Sequence, residues 1–230
     1  MTQLTHLGER RTSVDDIFEH LQEEIATLRL RPGDKISEAD IASKFGVSRQ
    51  PVRDAFSRLA NLDLLMIRPQ RATEVKGFSL REITKARFVR AAVEKEVLQC
   101  AATLCDAKGA DALDAEIADQ VQSVGTNDLD RFGALDYQFH KTLCEIAKAD
   151  FAFDVIMSEK SKVDRLCMLG LSKETRMPEL LEDHCAIAEA VKSRNAAKAV
   201  EAGMHHLSRL DDTIQRIATT NADYFEPLDA

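Results

Sequence analysis

Four residues in the second half of the chain have the types and spacing to hold a metal ion. Asp136 and His140 stand four positions apart in LDYQFHKTL, so on a helix both side chains project from one face. His184, in EDHCAIAEAV, and His206, in GMHHLSRL, fall on two later helical stretches. A helical bundle can gather three such helices around one ion. One carboxylate with three imidazoles is a nitrogen-rich set that suits zinc, nickel or another first-row divalent ion, and not calcium. Spacing alone leaves open that these histidines are structural or solvated.

A second group could read a nucleic acid. Ser48, Arg49, Gln50 and Arg53 sit at the start of a short amphipathic helix, opposite its apolar face. A helix with polar and cationic residues near its N-terminus can enter a major groove, where arginine makes bidentate bonds to guanine. Ser48 and the unpaired N–H groups of the first turn suit a phosphate. Arg68 and Arg71 follow in a turn and could reach the backbone or the minor groove. Surface ion pairs are the plain alternative for all of these arginines. For Arg58, with Asp54 four positions back, an intrahelical pair is the expectation.

Both groups need elements to position them. Val14, Ile17, Phe18, Leu21, Ile25 and Leu28 form one helical stripe that Pro32-Gly33 ends. Ser37 can cap a second helix, with Asp40 three residues on, that carries Ile41, Ala42 and Phe45 inward. After a turn at Gly46-Val47, Ser48 can cap a third helix, with Pro51 in its first turn. Val52, Ala55, Phe56 and Leu59 are its buried face. Residues 65–68 and 73–76 read as two short strands around a turn at Pro69. Beyond Gly77-Phe78-Ser79 the pattern is helical throughout, with expected spans 80–107, 109–124, 127–148, 151–170, 175–193 and 195–219. The expected fold is therefore mainly α. A winged helix-turn-helix of three helices and a two-stranded wing occupies 1–78, an antiparallel bundle of about six helices 79–222, and a frayed tail 223–230.

Composition sets limits. With 44% hydrophobic and 30% charged residues this is a folding chain, with no apolar run long enough to span a membrane and no signal-like N-terminus in MTQLTHLGERR, which points to the cytoplasm. Five cysteines without a CxxC pair fit buried reduced thiols better than a disulfide framework or zinc knuckle. A net charge of −8 argues naively against DNA. Its distribution does not: residues 48–76 carry a net +3, while the whole imbalance of −8 lies beyond residue 78.

The stretches PGDKISEADIASKFGVSRQPVRDAFSRL and IRPQRATEV resemble the DNA-binding domain of the GntR family of bacterial transcription regulators. The resemblance places DNA contacts on Ser48, Arg49, Gln50 and Arg53, with wing contacts around Arg68 to Arg71. Asp63 stands where the family usually has a turn glycine, and Ala72 where it often has a wing glycine. LDYQFHKTL, EDHCAIAEAV and GMHHLSRL resemble the signature stretches of the all-helical FCD effector domain of the FadR subfamily. That resemblance implies a divalent ion on Asp136, His140, His184 and His206 beneath an effector pocket, and a homodimer on a palindromic operator. His206 is the implied ligand because it precedes Leu207; His205 points about 100° away.

FVRAAVEKEV is similar to an R-x-x-x-E pattern of the same domain, so Arg90 could hold an effector carboxylate, or instead pair with Glu94. Arg165, in VDRLCMLGLS, is a second candidate cation whose alternative is a salt bridge. That stretch resembles regulators of sugar-acid catabolism, which slightly favours a sugar acid among small organic acids.

The leading expectation is a ligand-responsive transcription regulator, acting as a repressor on double-stranded operator DNA. A metal-dependent enzyme is the second reading, against which stand the absence of HExxH, of a nucleophile motif and of a base beside the ion. A metal sensor is the third.

Overall fold

The computed structural model describes residues 12–167 and 173–227, with the side chains of Cys167 and residues 173–175 left aside. His6, the expected break at Gly170 and the last residues of the tail lie outside the described residues. The architecture is mainly helical, and contacts divide the chain into two compact units, 1–79 with 221–230 and 80–220.

The first unit is a three-helix cluster with a small sheet. Helix α1 (Ser13–Ala26) begins in a capping box: Thr12 accepts from the Asp15 backbone and the Asp15 carboxylate accepts from that of Thr12. Ile17, Leu21 and Ile25 are its buried stripe. Ser37 caps α2 (Glu38–Phe45) through the N–H groups of Ala39 and Asp40. Gly46 closes α2 at φ 64°, a left-handed position where a side chain is strained. Helix α3 (Arg49–Asn61) buries Val52, Ala55, Phe56 and Leu59 against α1.

Three strands form the wing where two were expected. β1 (Lys35–Ile36) and β2 (Leu65–Met66) both pair antiparallel with β3 (Thr73–Val75), in the order β1-β3-β2. Two residues are too few for an alternating pattern, so β1 left no periodic signal. Asp63, at the family's glycine position, adopts φ 61°, which explains why glycine suits it. Aspartate tolerates that region better than most residues, and here it pairs with Lys76.

The described tail residues are held in place. Asn221 to Phe225 turn back onto the first unit, where the Phe78 N–H donates to the Tyr224 carbonyl and the Glu226 N–H to the Phe78 carbonyl. The Phe78 and Phe225 rings lie 5.6 Å apart.

The second unit is a helical bundle of α4 (Leu80–Leu104), α5 (Ala107–Gly125), α6 (Leu129–Ile146), α7 (Asp150–Cys167), α8 (Lys173–Lys192), α9 (Ala196–Ser208) and α10 (Asp211–Thr220). Two boundaries differ from expectation. The first break falls at Cys105-Asp106, because Asp106 caps α5 through the Gly109 N–H and draws Gly109 into the helix. The expected last helix splits at Arg209-Leu210, with no glycine or proline to mark it. Asn127 and Lys148 end their turns in left-handed conformations. Cys105 and Cys144 are buried as expected, but Cys185 is exposed.

α4 packs on α7 and α9, α8 on α9 and α5, and α5 on α6. The approach of α4 to α9 depends on Gly203, where a Cβ would come within 2.1 Å of the Leu98 side chain. Helix propensity alone makes Gly203→Ala stabilising by about 1 kcal/mol. The crowding against buried Leu98 opposes this, so the substitution should destabilise the protein by about 1–3 kcal/mol in urea unfolding. A stabilised variant would mean that α4 and α9 are free to separate.

Candidate metal centre and nucleic-acid interface

α6 places Asp136 and His140 one turn apart on its buried face; α8 contributes His184 and α9 His206. All four are buried, and one donor atom of each lies within 4.8 Å of the others. The rings of His184 and His206 are 4.9 Å apart, and Phe139 stacks on His184 at 4.3 Å. His205 points outward, its side chain 62% exposed.

Each donor residue is backed by a side chain on another element, though His206 Nδ1 makes no hydrogen bond to its neighbour. His184 Nδ1 hydrogen-bonds Gln120 Oε1 on α5 at 2.7 Å. His140 Nδ1 faces Glu94 Oε2 on α4 at 3.3 Å, and Arg90 holds that carboxylate at 2.7 Å. His206 Nδ1 faces Asp183 Oδ2 at 3.4 Å, and Arg209 grips Asp183 through two bonds of 2.7 and 2.8 Å. Asp136 Oδ2 lies 3.1 Å from Lys160 Nζ on α7. Such outer partners orient imidazoles and fix which nitrogen carries the proton.

The inner atoms are left unsatisfied. His140 Nε2 and His184 Nε2 are buried without a hydrogen-bond partner, 3.9 and 3.4 Å from Asp136 Oδ1. An orphaned buried nitrogen costs about 1–3 kcal/mol. Three imidazoles and one carboxylate converging on a shared space fit a first-row divalent ion, which would satisfy both nitrogens.

The electrostatics agree. Burial would raise the Asp136 carboxyl, but Lys160 and the three imidazoles outweigh it and hold the group well below the usual carboxylate range. Glu94 is likewise held low, by His140 and Arg90 against burial. Asp183, raised by burial, is brought down to about 2 by His206 and Arg209. Burial, reinforced by His206 and His140, pushes His184 down to about 3, which keeps its nitrogen unprotonated and able to coordinate.

Arg90 is only 6% exposed and committed to Glu94, the pairing foreseen as its alternative role. It also borders a cavity of about 250 Å³ whose other walls include Val163, Met204 and Leu207. Arg165 lies in the last turn of α7, half-buried. The sequence marks Glu94 only as a partner for Arg90, and Gln120, Lys160, Asp183 and Arg209 not at all. Of these only Asp183 had a local signal, its place directly before His184.

In the first unit, Ser48, Arg49, Gln50, Arg53, Arg68 and Arg71 are all exposed. Ser48 is the N-cap of α3 by backbone geometry but makes no side-chain cap bond, contrary to expectation. Arg53 pairs with Glu38 at 2.8 Å, Gln50 donates to Asp54, and Arg68 reaches the Met66 sulfur. Exposed pairs of this kind contribute little and exchange readily. Arg58 turns away from Asp54: it pairs with Asp15 of α1 at 2.7 Å and covers the Phe18 ring.

Family models match both units: "Bacterial regulatory proteins, gntR family" over residues 13–75 and "FCD domain" over 86–209. The chain belongs to the gntR family. It is 31% identical over 225 residues to the HTH-type transcriptional repressor RspR of Escherichia coli K12, covering 98% of this chain and 99% of that protein. Two solved structures share its fold, both at TM-score 0.65: a putative GntR regulator from Rhodococcus sp. RHA1 at 23% identity, covering 90% of this chain and 97% of that one, and E. coli McbR/YncC at 15%, covering 90% and 99%. As a gntR-family protein with an FCD domain it is a DNA-binding transcription regulator and not an enzyme. No helix among the described residues is long and apolar enough to cross a membrane.

The His184 environment has a measurable consequence. An unfolded imidazole takes up its proton as the pH falls through about 6.5; the folded one waits until about 3. The unfolded state therefore binds more protons in that window, and the metal-free protein loses stability as the pH falls from 6.5. The carboxylates add their own loss only below about pH 4.5. Thermal melts of metal-free protein between pH 7 and 5 should fall less steeply in His184→Leu than in wild type. Equal slopes would place the dependence elsewhere.

Proposed function

We propose that this chain is a repressor that binds a palindromic operator as a homodimer and responds to a small organic acid through a metal-assisted pocket in its helical bundle. The observation that carries the reading is the convergence of Asp136, His140, His184 and His206, with His140 Nε2 and His184 Nε2 buried and unpartnered. Those four residues would hold zinc or nickel, and the ion would supply a positive charge and open coordination positions for a ligand carboxylate. Arg90 and Arg165 are the bundle cations proposed to stand near that carboxylate.

On the DNA side, Arg49, Gln50 and Arg53 of α3 are proposed to read base edges, with Ser48, Arg68 and Arg71 on phosphates or the minor groove. The exposed pairs of Arg53 with Glu38 and Gln50 with Asp54 would exchange for DNA contacts on binding. The net charge of +3 over residues 48–76 is modest. Non-specific binding should accordingly be weak, with affinity resting on a few arginines per subunit and on dimerisation.

The reading is tested in two arms. An operator is selected from random duplexes with wild-type protein; Arg49→Ala or Arg53→Ala should then lose about 1–3 kcal/mol of specific binding. An unchanged footprint removes that residue from the interface. In the second arm, wild-type protein should retain about one equivalent of divalent metal per chain by elemental analysis, and the His184→Ala, His206→Ala double variant none. Full metal content in the double variant would sink the site. A panel of organic acids should raise the melting temperature of metal-loaded protein and not of metal-stripped protein; equal shifts would detach the ion from the effector.

A further inference from the structure

Lys160 is the feature of the bundle that the proposed function leaves unused. It lies on α7, which carries none of the four candidate ligands, yet its ammonium group sits 3.1 Å from Asp136 Oδ2 with the side chain only 12% exposed. An ammonium group beside the carboxylate that is to bind a cation opposes that cation, so its presence needs a reason.

The geometry supplies one. The two oxygens of Asp136 face different partners: Oδ1 lies 3.4 Å from His184 Nε2 and 3.9 Å from His140 Nε2, while Oδ2 is turned to Lys160. Lys160 is itself fixed on its far side. Its Nζ lies 2.6 Å from Asp164 Oδ2, the same oxygen that accepts the Tyr137 hydroxyl at 2.9 Å, and it sits 4.6 Å from the centre of the Tyr137 ring. A buried ammonium is costly unless its partners stay in place. Turning Asp136 so that both oxygens faced the imidazoles would break that buried pair.

Resting on the metal reading above, we propose that Lys160 is a positioning residue that restricts Asp136 to one coordinating oxygen. Its ammonium occupies Oδ2, and Asp164 and Tyr137 keep the ammonium there. A position on the ion that the second oxygen would otherwise fill is thereby kept for a ligand from outside the protein. A bidentate aspartate would compete with a ligand carboxylate for that position. Lys160 thus favours exchangeable ligands at the expense of raw metal affinity.

The test uses the full-length protein stripped of metal and reloaded with Co²⁺, whose visible absorption reports the number and kind of donor atoms around it. Wild type and Lys160→Arg, which keeps the cation, should give the same spectrum. Lys160→Met, of similar length and without charge, should give a different band shape and intensity and should bind Co²⁺ about tenfold more tightly; weaker binding overturns the proposal. Should the Met variant fail to fold, Lys160→Leu is read in its place, because it offers no hydrogen to hold Oδ2. A Met or Leu variant with the wild-type spectrum and affinity overturns the proposal. An altered spectrum in Lys160→Arg overturns it too, since the charge would then not be what matters. A wild-type protein that takes up no Co²⁺ at all instead defeats the metal reading beneath it.

Discussion

Placing three imidazoles and a carboxylate inside a helical bundle imposes the constraint on which the second unit is built: every buried polar atom needs a partner, and the inner atoms cannot partner one another. The structure meets it only in part: it turns outer atoms toward neighbouring helices and leaves His140 Nε2 and His184 Nε2 unpartnered inside. α4 supplies Glu94, α5 Gln120, α7 Lys160 and α8 Asp183, so each of α4 to α9 carries either a ligand candidate or its support. The two supporting carboxylates that lack a cation inside the site receive one from outside, Arg90 for Glu94 and Arg209 for Asp183. A buried pair of this type gives little stability for its own sake, and removing one member leaves a stranded charge. What the network provides is orientation: His184 is held through Gln120 and His140 faces Glu94, while the two oxygens of Asp136 face different partners.

The first unit answers a different requirement. The side chains proposed to read DNA are exposed, and the rigidity of the unit comes from elsewhere. Caps at Thr12 and Ser37, the apolar face shared by α1 and α3, and a third strand all fix α3 without using Arg49, Gln50 or the wing arginines. Arg58, on the same helix, shows the contrast. It is spent on Asp15 and the Phe18 ring and ties α3 to α1.

How much of this was legible in the sequence follows from the range of each interaction. Helical periodicity marked α1, α3 and the bundle, because the signal repeats within one turn. Asp136 and His140 were visible for the same reason, and the resemblance supplied His184 and His206. Partners distant along the chain left no such trace. Gln120 is 64 residues from His184 and gives no signal as a neutral amide on a polar helix. Lys160 stands in KSK, which reads as a solvated face. Arg58 has an acid within helical reach and chooses another 43 residues away. The hold on the described tail residues depends on backbone groups of Phe78, which no pattern in the tail's own residues announces.

These placements constrain how the two units can influence each other. A ligand changes DNA affinity only if it binds two arrangements of the protein unequally. The chain passes between the units at two points, 79–80 and 220–221. The first opens directly into α4, the helix that carries Arg90 and Glu94 behind His140. The second leaves α10, whose first residue, Asp211, pairs with Arg87 of the same α4, and ends on Phe78 beside the first crossing. Both covalent routes therefore converge on α4. The proposed effector would influence the first unit through these crossings only if its binding changed α4, the helix that both share. That helix carries the buried Arg90–Glu94 pair, and Gly203 is what lets α9 approach it closely.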